Sequence, residues 1–514
     1  MNEKPKSTWS NPKRFLFGLV SLVTLVALFY AEEDWRGWHA WNKFKHTWEA
    51  KGERFDRASV VPPAVPDDQN FALTPIVASS YLRVMDKNGH QIQPPNTNVV
   101  DRLKMSIYRD ADDSKNWPNN GNWQKSKPTD LKEWQQYYRN PPGSAQTNEF
   151  PVALEPQSPA DDVLLALSRY DSAIEELRQA SKLPDSRFPL EYDKENPAAI
   201  LLPHLAAMKR CSQVLQLRAI AEVQNGQSDE ALADVKLMLR LADSVRTEPF
   251  LISHLVRIAI LQITLQPVWE GLAEHKWSDA QLVELDQELA RLDFLAGYGV
   301  GMRGELVLCQ GGIFDYLRRQ PEQGFNLFDE GHSSPLSAIV FHLIPSGWFY
   351  QNQLRCARMM LEQCLPVADI KQGIVSPTAT RRADAMVEAD TKHLNPYNII
   401  EKMFLPSLGK AVERFANEQN AADMARVACA LERYRLVHGA YPASLDALAP
   451  QFIARPPHDI INGQPLNYRR TASGRFILYS IGWNETDDDG EVGLKENGSV
   501  DRDTGDWVWR YPAK

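Results

Sequence analysis

Cysteine is scarce in this chain of 514 residues, and the five that occur lie far apart. So few cysteines in so long a chain exclude a disulfide framework, and no C-x-x-C pair suggests a zinc site. Cys356 and Cys364 would sit about two helical turns apart, too far for a local bridge. We therefore expect buried free thiols at Cys211, Cys309, Cys356, Cys364 and Cys429.

An excess of basic residues is also missing. Lys and Arg number 57 against 66 Asp and Glu, a formal net charge of −9. Nucleic-acid-binding chains are marked by a basic excess, so we expect no nucleic-acid partner. With 43% hydrophobic and 24% charged residues, the composition excludes a collagenous or mostly disordered chain. At roughly 150 residues per domain, the length predicts three to four units.

Recognised catalytic signatures are missing as well. The sequence contains no G-x-S-x-G elbow, Walker loop, kinase motif set or H-E-x-x-H pair. Residues 299–304 do spell G-x-G-x-x-G, but a dinucleotide site needs a strand before the first glycine, and residues 282–295 have helical spacing. We interpret this run as a glycine-rich break between helices. The sequence makes no positive case for an enzyme, and we nominate no catalytic residue.

The N-terminal sequence has the pattern of a membrane-spanning segment. Residues 1–14 carry four basic side chains against one acid, and residues 15–30 are apolar apart from Ser21 and Thr24. At about 1.5 Å per residue this run reaches roughly 25 Å, the short end of a membrane span. We predict a transmembrane anchor over 15–31, with a cytoplasmic basic tail before it. The positive-inside rule then places the bulk of the chain outside the cytoplasmic (inner) membrane, in the periplasm.

A cleaved signal peptide is the alternative to this single-pass anchor. Cleavage requires small residues before the cut, and the bulky Phe29 stands at the −3 place. An anchor instead requires aromatic residues at the membrane interface, which Trp35, Trp38 and Trp41 supply. Trp38, Trp41 and Trp48 also share one face of a helix. We expect that stripe to pack into protein, with contact to the membrane surface as the alternative.

The composition changes twice along the body of the chain. Residues 32–66 form a Trp-rich helix and a proline-rich linker (VVPPAVP at its end), which favours an extended chain. Residues 67–159 are rich in Pro, Asn, Gly and Asp, which predicts an irregular strand-and-loop region with an embedded helix over 130–139. Residues 160–419 carry Leu- and Ala-rich amphipathic runs broken by short turns. These predict a mainly α-helical array of antiparallel neighbours.

Five helices of this array can be delimited from their patterns. Residues 215–245 weakly resemble a single tetratricopeptide unit with its turn at Gly226, and no second copy follows at a period of 34 residues. That resemblance implies an antiparallel helical hairpin. Residues 321–347 are predicted to form a loop and hairpin inserted in the array. The predicted helices cover 161–182, 203–225, 229–246 (capped by Ser228), 249–273 and 279–296 (capped by Ser278).

The C-terminal residues 420–514 have a recognisable order. A helix ends at a glycine and a Tyr-Pro pair, and a Pro-Pro-His-Asp segment, an Asn-Gly turn and an alternating strand over 475–481 follow. This order resembles the globular head of type II secretion major pseudopilins and related bacterial type IV pilin-like proteins. The matching residues are Tyr434, Gly439, Tyr441, Pro442, Pro456, Pro457, Asp459, Gly463, Pro465, Tyr468, Leu478, Tyr479, Ser480 and Gly482.

The resemblance implies a small α+β head with an antiparallel sheet. The chain departs from pilins because its hydrophobic helix lies some 400 residues upstream of the head, whereas a pilin carries that helix directly before it. We therefore interpret the head as a borrowed module on a membrane-anchored chain.

The end of the head is strongly acidic. Residues 484–506 hold nine acids against two bases, most of the net charge of the chain. Major pseudopilins bind calcium in the corresponding loop, so the resemblance implies calcium as a cofactor, held by Asp487, Asp489, Asp501 and Asp503. Calcium requires six to eight oxygen ligands, which clustered aspartates can supply. A solvated acidic turn is the alternative.

These observations predict a multidomain protein with an N-terminal transmembrane helix, a central helical array and a pilin-like head. The function they favour is that of a membrane-anchored extracytoplasmic scaffold or interaction protein with unidentified protein partners. One alternative is an accessory component of a type II secretion or type IV pilus-like assembly. Another is an enzyme with a site in the helical region near residues 299–348.

Overall fold

Long helices dominate the protein. The computed structural model describes residues 11–81, 84–85, 91–92, 102–109, 117–140, 150–320, 343–393, 395–400, 402 and 410–512. Its helices are α1 (Asn11–Glu49), α2 (Pro75–Ala78), α3 (Leu131–Arg139), α4 (Pro159–Leu167), α5 (Asp171–Ala180), α6 (Pro203–Gln224), α7 (Ser228–Asp243), α8 (Leu251–Ala273), α9 (Asp279–Leu289), α10 (Phe294–Gly304), α11 (Gly312–Arg319), α12 (Ser346–Met359), α13 (Pro377–Thr391) and α14 (Ala411–His438).

Short strands form small antiparallel sheets beside these helices. Three of them make the sheet of the C-terminal region in the order β5-β6-β9, with Leu478 of the middle strand opposite Tyr468 on one side and Trp509 on the other. The remaining strands pair as two-stranded hairpins. The strands are β1 (Val84–Met85), β2 (Gln91–Ile92), β3 (Ala368–Asp369), β4 (Ile374–Val375), β5 (Asn467–Arg470), β6 (Phe476–Ser480), β7 (Val492–Leu494), β8 (Val500–Gly505) and β9 (Trp507–Arg510).

The helix caps differ in part from the predicted ones. Ser278 caps α9 as predicted, and it does so in a reciprocal capping box with Gln281. The predicted helix over 279–296 is wrong at its end, because α9 stops at Leu289 and α10 begins at Phe294. Ser228 does not cap α7: it is the first helical residue, and its hydroxyl accepts a hydrogen bond from Gln281 Nε2 at 3.0 Å. The helix predicted over 161–182 is two helices, α4 and α5, joined by a 3-10 turn and capped by Ser158.

A buried ion-pair network fastens the α6–α7 hairpin to α5. Asp234 of α7 is fully buried and accepts hydrogen bonds from Arg178 of α5 and from Arg218 of α6, the latter at 2.9 Å. Gly226 turns the hairpin with a φ of +77°, a conformation that favours glycine. Removing one partner of such a buried network would leave an uncompensated charge, which costs about 3–5 kcal/mol.

The glycine-rich run lies inside a helix, so the prediction of a break between helices is wrong. Residues 294–304 form α10, and a π-helical segment (Glu305–Gly311) continues it. The glycines let α10 pack closely on the start of α8. A Cβ on Gly304 would lie 2.7 Å from Pro249 Cα, and one on Gly297 would lie 2.9 Å from His254 Nδ1. Close packing therefore explains the glycines without a bound nucleotide.

The predicted boundary between the array and the C-terminal region, at residue 420, falls inside a helix. Helix α14 begins at Ala411, nine residues before the boundary set at 420, and runs through it. Asn417, Glu418 and Asn420 read as a polar stretch in the sequence, but all three are buried. One hydrophobic cluster extends from Trp41 in α1 through the array to Trp509 in the sheet. The second half of α1, the helical array and the C-terminal region thus share a core.

The strand predicted over 475–481 is confirmed, and the motif residues around it contact one another. Asp459 is buried and accepts hydrogen bonds from the Ser480 hydroxyl at 2.8 Å and from the backbone N–H groups of Ile461 and Ile481 at 2.9 and 3.0 Å. The Tyr468 hydroxyl donates to the Pro442 carbonyl at 2.8 Å. These contacts tie the Pro-Pro-His-Asp segment and the Tyr-Pro pair to the sheet.

None of the five cysteines forms a disulfide, as expected. Four of them are buried, whereas Cys309, which was also expected to be buried, is half-buried. Parts of other predictions lie outside the described residues. The loop and hairpin expected over 321–347 are described only from residue 343, the basic tail only from residue 11, and the 67–159 region only in segments. Within that region α3 confirms the embedded helix, with Asp130 as its cap.

We predict that Asp459→Ala destabilises the protein. Two buried donors and one half-buried donor would lose their acceptor, which costs at least about 3 kcal/mol in total at about 1–3 kcal/mol for each unsatisfied group. The measurement is the melting temperature of the purified full chain by far-UV circular dichroism. Asp446→Ala is the matched control because Asp446 is exposed. Equal melting temperatures for the two variants would contradict the role given to Asp459.

A second prediction concerns pH. Burial opposes ionisation of Glu432, but hydrogen bonds from His275, Arg435 and Tyr441 outweigh it and hold the pKa of Glu432 at about 2, below the ordinary 4.5. The folded state therefore binds fewer protons than the unfolded chain between these values. The resulting stabilisation, about 3 kcal/mol, is complete above pH 4.5 and is lost as the pH falls towards 2.

Comparison of the wild-type chain with Glu432→Gln tests this. The variant should melt at a lower temperature at pH 7, and the difference should shrink as the pH is lowered below the ordinary carboxyl pKa. Glu284→Gln is the control, since Glu284 forms an exposed pair with Lys236 and such pairs contribute little. A difference that stays constant with pH would show that the charge of Glu432 is not responsible.

Candidate functional site at the anchor helix

The first half of α1 presents apolar side chains to the surroundings. The helix contains a window with a mean hydropathy of 2.0, none of which is buried in the protein. Helix α8 also has an apolar window, with a mean hydropathy of 1.4, but 67% of that window is buried. Exposed apolar surface of this extent is unfavourable in water. The N-terminal helix is therefore compatible with a membrane anchor or a signal sequence, whereas α8 is packed within the body.

The second half of the same helix belongs to the folded body. α1 continues without a break to Glu49, and its Trp41 and Phe44 are buried against Phe55. Trp48 packs partly on the same core. The predicted tryptophan stripe therefore divides: Trp41 and Trp48 pack into protein, whereas Trp38 is 51% exposed. A single rigid element thus joins the apolar segment to the core.

α1 and α12 touch through their backbones. A Cβ on Gly37 would lie 2.6 Å from Gly347 Cα, and one on Gly347 would lie 2.8 Å from Asp34 N. Real side chains do not fit at such distances, so this contact requires glycine on both helices. Asp34 Oδ1 also accepts a hydrogen bond from the Gly347 N–H at 2.7 Å. We call this contact, together with Glu33 and its partners Arg36, Trp348 and Tyr397, the anchor interface.

The buried carboxylate of Glu33 lies in the anchor interface, two residues after the predicted span. Glu33 is 5% exposed and accepts hydrogen bonds from Arg36 Nη2 at 2.5 Å, Tyr397 OH at 3.0 Å and Trp348 Nε1 at 3.1 Å. Burial alone would raise the pKa of Glu33, but these hydrogen bonds lower it below its ordinary value. The carboxylate therefore stays charged at neutral pH and holds three segments together.

The body reaches α1 as far back as Tyr30. The Tyr30 hydroxyl donates a hydrogen bond to the Leu343 carbonyl at 2.6 Å, and Leu343 is itself 63% exposed. Tyrosine and tryptophan side chains with one polar end are typical of the boundary between hydrocarbon and water. The anchor interface therefore begins where the apolar segment ends.

The four aspartates expected to bind calcium lie on two different elements. Asp487 and Asp489 follow β6: Asp487 accepts a hydrogen bond from Tyr479 OH at 3.1 Å, and Asp489 lies 3.7 Å from Arg469. Asp501 and Asp503 lie on β8. The Asp501 carboxylate is 4.0 Å from Lys495 Nζ. Asp503 neighbours Glu413, whose pKa is raised to about 7, chiefly by burial and then by the Asp503 charge.

Within the described ranges, no group of three or more His, Cys, Asp or Glu side chains is placed to hold a metal ion. The organising residue of the acidic loop is instead Asp506, which is buried and accepts hydrogen bonds from the backbone N–H groups of Asp488 and Gly490. Burial, together with the charges of Asp487 and Asp488, raises the pKa of Asp506 to about 6. Calcium binding stays a prediction of the resemblance.

A buried Ser-Glu-His cluster lies at the start of α8. Glu248 accepts hydrogen bonds from the Ser253 hydroxyl and contacts His204 Nε2 at 2.8 Å. Nucleophilic catalysis requires the imidazole next to the serine, but here the carboxylate stands between them. Burial lowers the pKa of the neighbouring His254 to about 4. The cluster ties α6 to α8 and lacks the geometry of a hydrolase.

Comparisons with known proteins give no relative: no protein-family model, no curated protein and no solved structure matches the chain. Sequence reasoning located the apolar segment but missed the anchor interface. The one signal of this interface in the sequence was Gly37, an isolated glycine in a segment that otherwise favours a helix.

We predict opposite consequences for two glycine-to-alanine changes in α1. Gly37→Ala should lower the melting temperature because the new methyl group overlaps the Gly347 backbone. Gly18→Ala is the control: a Cβ there meets no atom within 4 Å, and alanine favours a helix over glycine by roughly 1 kcal/mol. The measurement is the melting temperature of the full chain in detergent. A Gly37→Ala variant as stable as Gly18→Ala would contradict the backbone contact.

Proposed function

We propose that the protein is a membrane-anchored extracytoplasmic scaffold that holds its helical body in one orientation at the membrane surface. The observation that carries this is the continuity of α1, whose exposed apolar half and buried aromatic half form one helix of 39 residues. At about 1.5 Å per residue this helix is roughly 58 Å long. It is long enough to cross a bilayer and extend into the body.

The anchor interface supports a scaffold more than a tether. A protein that needs only to stay near a membrane can be joined to its anchor by a flexible linker, which leaves its orientation free. Here the Gly37–Gly347 contact and the Glu33 hydrogen bonds fix the body to the helix directly after the predicted span. The orientation of the body therefore follows from that of the anchor.

The residues flanking the apolar segment support the proposed orientation. Trp35 and Trp38 are exposed on the body side, where they suit a membrane interface. Lys13 and Arg14 flank the other side, where the positive-inside rule favours the cytoplasm. The body would then lie outside the cytoplasmic membrane and offer its helical faces to protein partners.

Cysteine labelling tests the membrane position and the orientation. The native thiols give a low background because four are buried. Asp446→Cys should react with a membrane-impermeant maleimide in intact cells, and Lys13→Cys should react only after permeabilisation. The chain should also resist alkaline extraction from membranes. The reverse labelling pattern would contradict the orientation, and a mature protein lacking residues 1–31 would identify a signal sequence instead of an anchor.

The rigid attachment is tested separately. A dye on Asp446→Cys should show a narrow distribution of energy transfer to a lipid-bound acceptor. A flexible Gly/Ser insertion between Ala31 and Glu32 should broaden that distribution without releasing the protein from the membrane. An equally broad distribution in the chain without the insertion would contradict a scaffold role.

A further inference from the structure

A cleft of about 450 Å³ lies between the proline-rich linker and the ends of α7 to α10. None of its lining residues belongs to the anchor interface. The charged residues that line it are Arg246, Arg257, Arg291, Arg303, Asp243 and Asp293. Cations outnumber anions two to one, which is unusual for a chain with an overall charge of −9.

Arg257 carries a buried charge that is incompletely compensated. Its side chain is only 3% exposed. The Asp243 carboxylate lies 3.6 Å away, beyond hydrogen-bond distance, and pairs with Arg246 at 2.8 Å. The Asp293 carboxylate acts on Arg257 only through its charge. Nη1 donates to the Asp293 carbonyl at 3.0 Å, while Nε has no acceptor in the described part of the chain. One carboxylate thus serves two guanidinium groups.

The acids that pair with the other two arginines do not line the cleft. Arg303 binds Glu53 through two hydrogen bonds of 2.8 and 2.9 Å, and Arg291 binds Glu288 at 2.8 Å. Asp293 is occupied as the cap of α10, where it accepts the Ala296 N–H at 2.7 Å. Inside the cleft, therefore, the Asp243 and Asp293 carboxylates face the four guanidinium groups, and of these four only that of Arg257 is buried. A ligand anion would supply the close hydrogen-bonding partner that Arg257 lacks.

Apolar side chains also line the cleft, among them Val60 and Pro62 of the linker and Val300 of α10. Gly297 lines it beside Arg257, and a Cβ there would lie 3.3 Å from Arg257 Nη1. Small-molecule sites commonly occupy about 300–1,000 Å³ and combine apolar walls with a few fixed polar groups. The cleft has both features.

We propose that this cleft binds a small organic anion, a carboxylate or a phosphate monoester that carries an apolar group. Its anionic oxygens pair with Arg257 and Arg246, for which the planar guanidinium groups are suited. Its apolar part lies against Val60, Pro62 and Val300. Anion binding at this cleft does not require the scaffold function, because it can be measured whatever the orientation of the protein in the membrane.

Calorimetric titration of the full chain in nanodiscs of neutral lipid tests the proposal. The probes are benzoate, phenyl phosphate, inorganic phosphate and the uncharged benzyl alcohol. Benzoate or phenyl phosphate should bind saturably with one site per chain, and the tighter of the two identifies the head group. Benzyl alcohol and inorganic phosphate should bind at least tenfold more weakly. Equal binding of benzyl alcohol, or no saturable binding of either organic anion, would overturn the proposal.

Variants assign the binding to the cleft. Arg257→Gln and Arg246→Gln should each weaken binding of the organic anion at least tenfold. Val300→Trp should block it by filling the cleft, and because Val300 is 39% exposed this change tests the site even if Arg257→Gln does not fold. Arg382→Gln, an exposed residue of α13, is the matched control and should bind as the wild type does. Unchanged binding by Val300→Trp and Arg246→Gln would place the anion elsewhere and contradict the proposal.

Discussion

The backbone contact between Gly37 and Gly347 determines how the apolar half of α1 leaves the body of the protein. Without Cβ atoms at these positions the two helices come close enough for Asp34 to accept the Gly347 N–H and for Glu33 to reach Trp348 and Tyr397. Any side chain in the contact would separate the helices and break these hydrogen bonds. The direction in which the apolar segment leaves the body therefore depends on glycine at both positions.

Buried carboxylates with several donors recur wherever distant segments of this chain meet. Asp234 joins α5 to the α6–α7 hairpin, Glu432 joins α14 to the turn after α8, and Asp459 joins two parts of the C-terminal sheet region. Each is supplied with enough donors to remain satisfied in a low-dielectric interior. Arg257 is the contrasting case, because no carboxylate lies within hydrogen-bond distance of it and its Nε has no acceptor among the described residues. Such an incomplete set of partners is expected where a ligand completes it.

Local sequence patterns predicted those elements whose energetics are local. The capping box at Ser278, the helix capped by Asp130 and the alternating strand that became β6 all follow from backbone hydrogen bonding and side-chain periodicity. The predictions made for Ser228 and for the glycines of α10 were wrong for the same reason. A serine can bond elsewhere, and glycine can serve close packing as well as a turn, so only the neighbouring helix distinguishes these uses.

The sequence by itself determined the apolar N-terminal helix, the mainly helical body, the small C-terminal sheet and the lack of disulfides, because each depends on composition or on short-range periodicity. The tertiary structure alone decided which polar residues are buried and what they contact. Glu33 and its partner Tyr397 are 364 positions apart. Hydrogen bonds between distant segments leave no periodic trace in a sequence, since the position of each partner is fixed only when the helices pack.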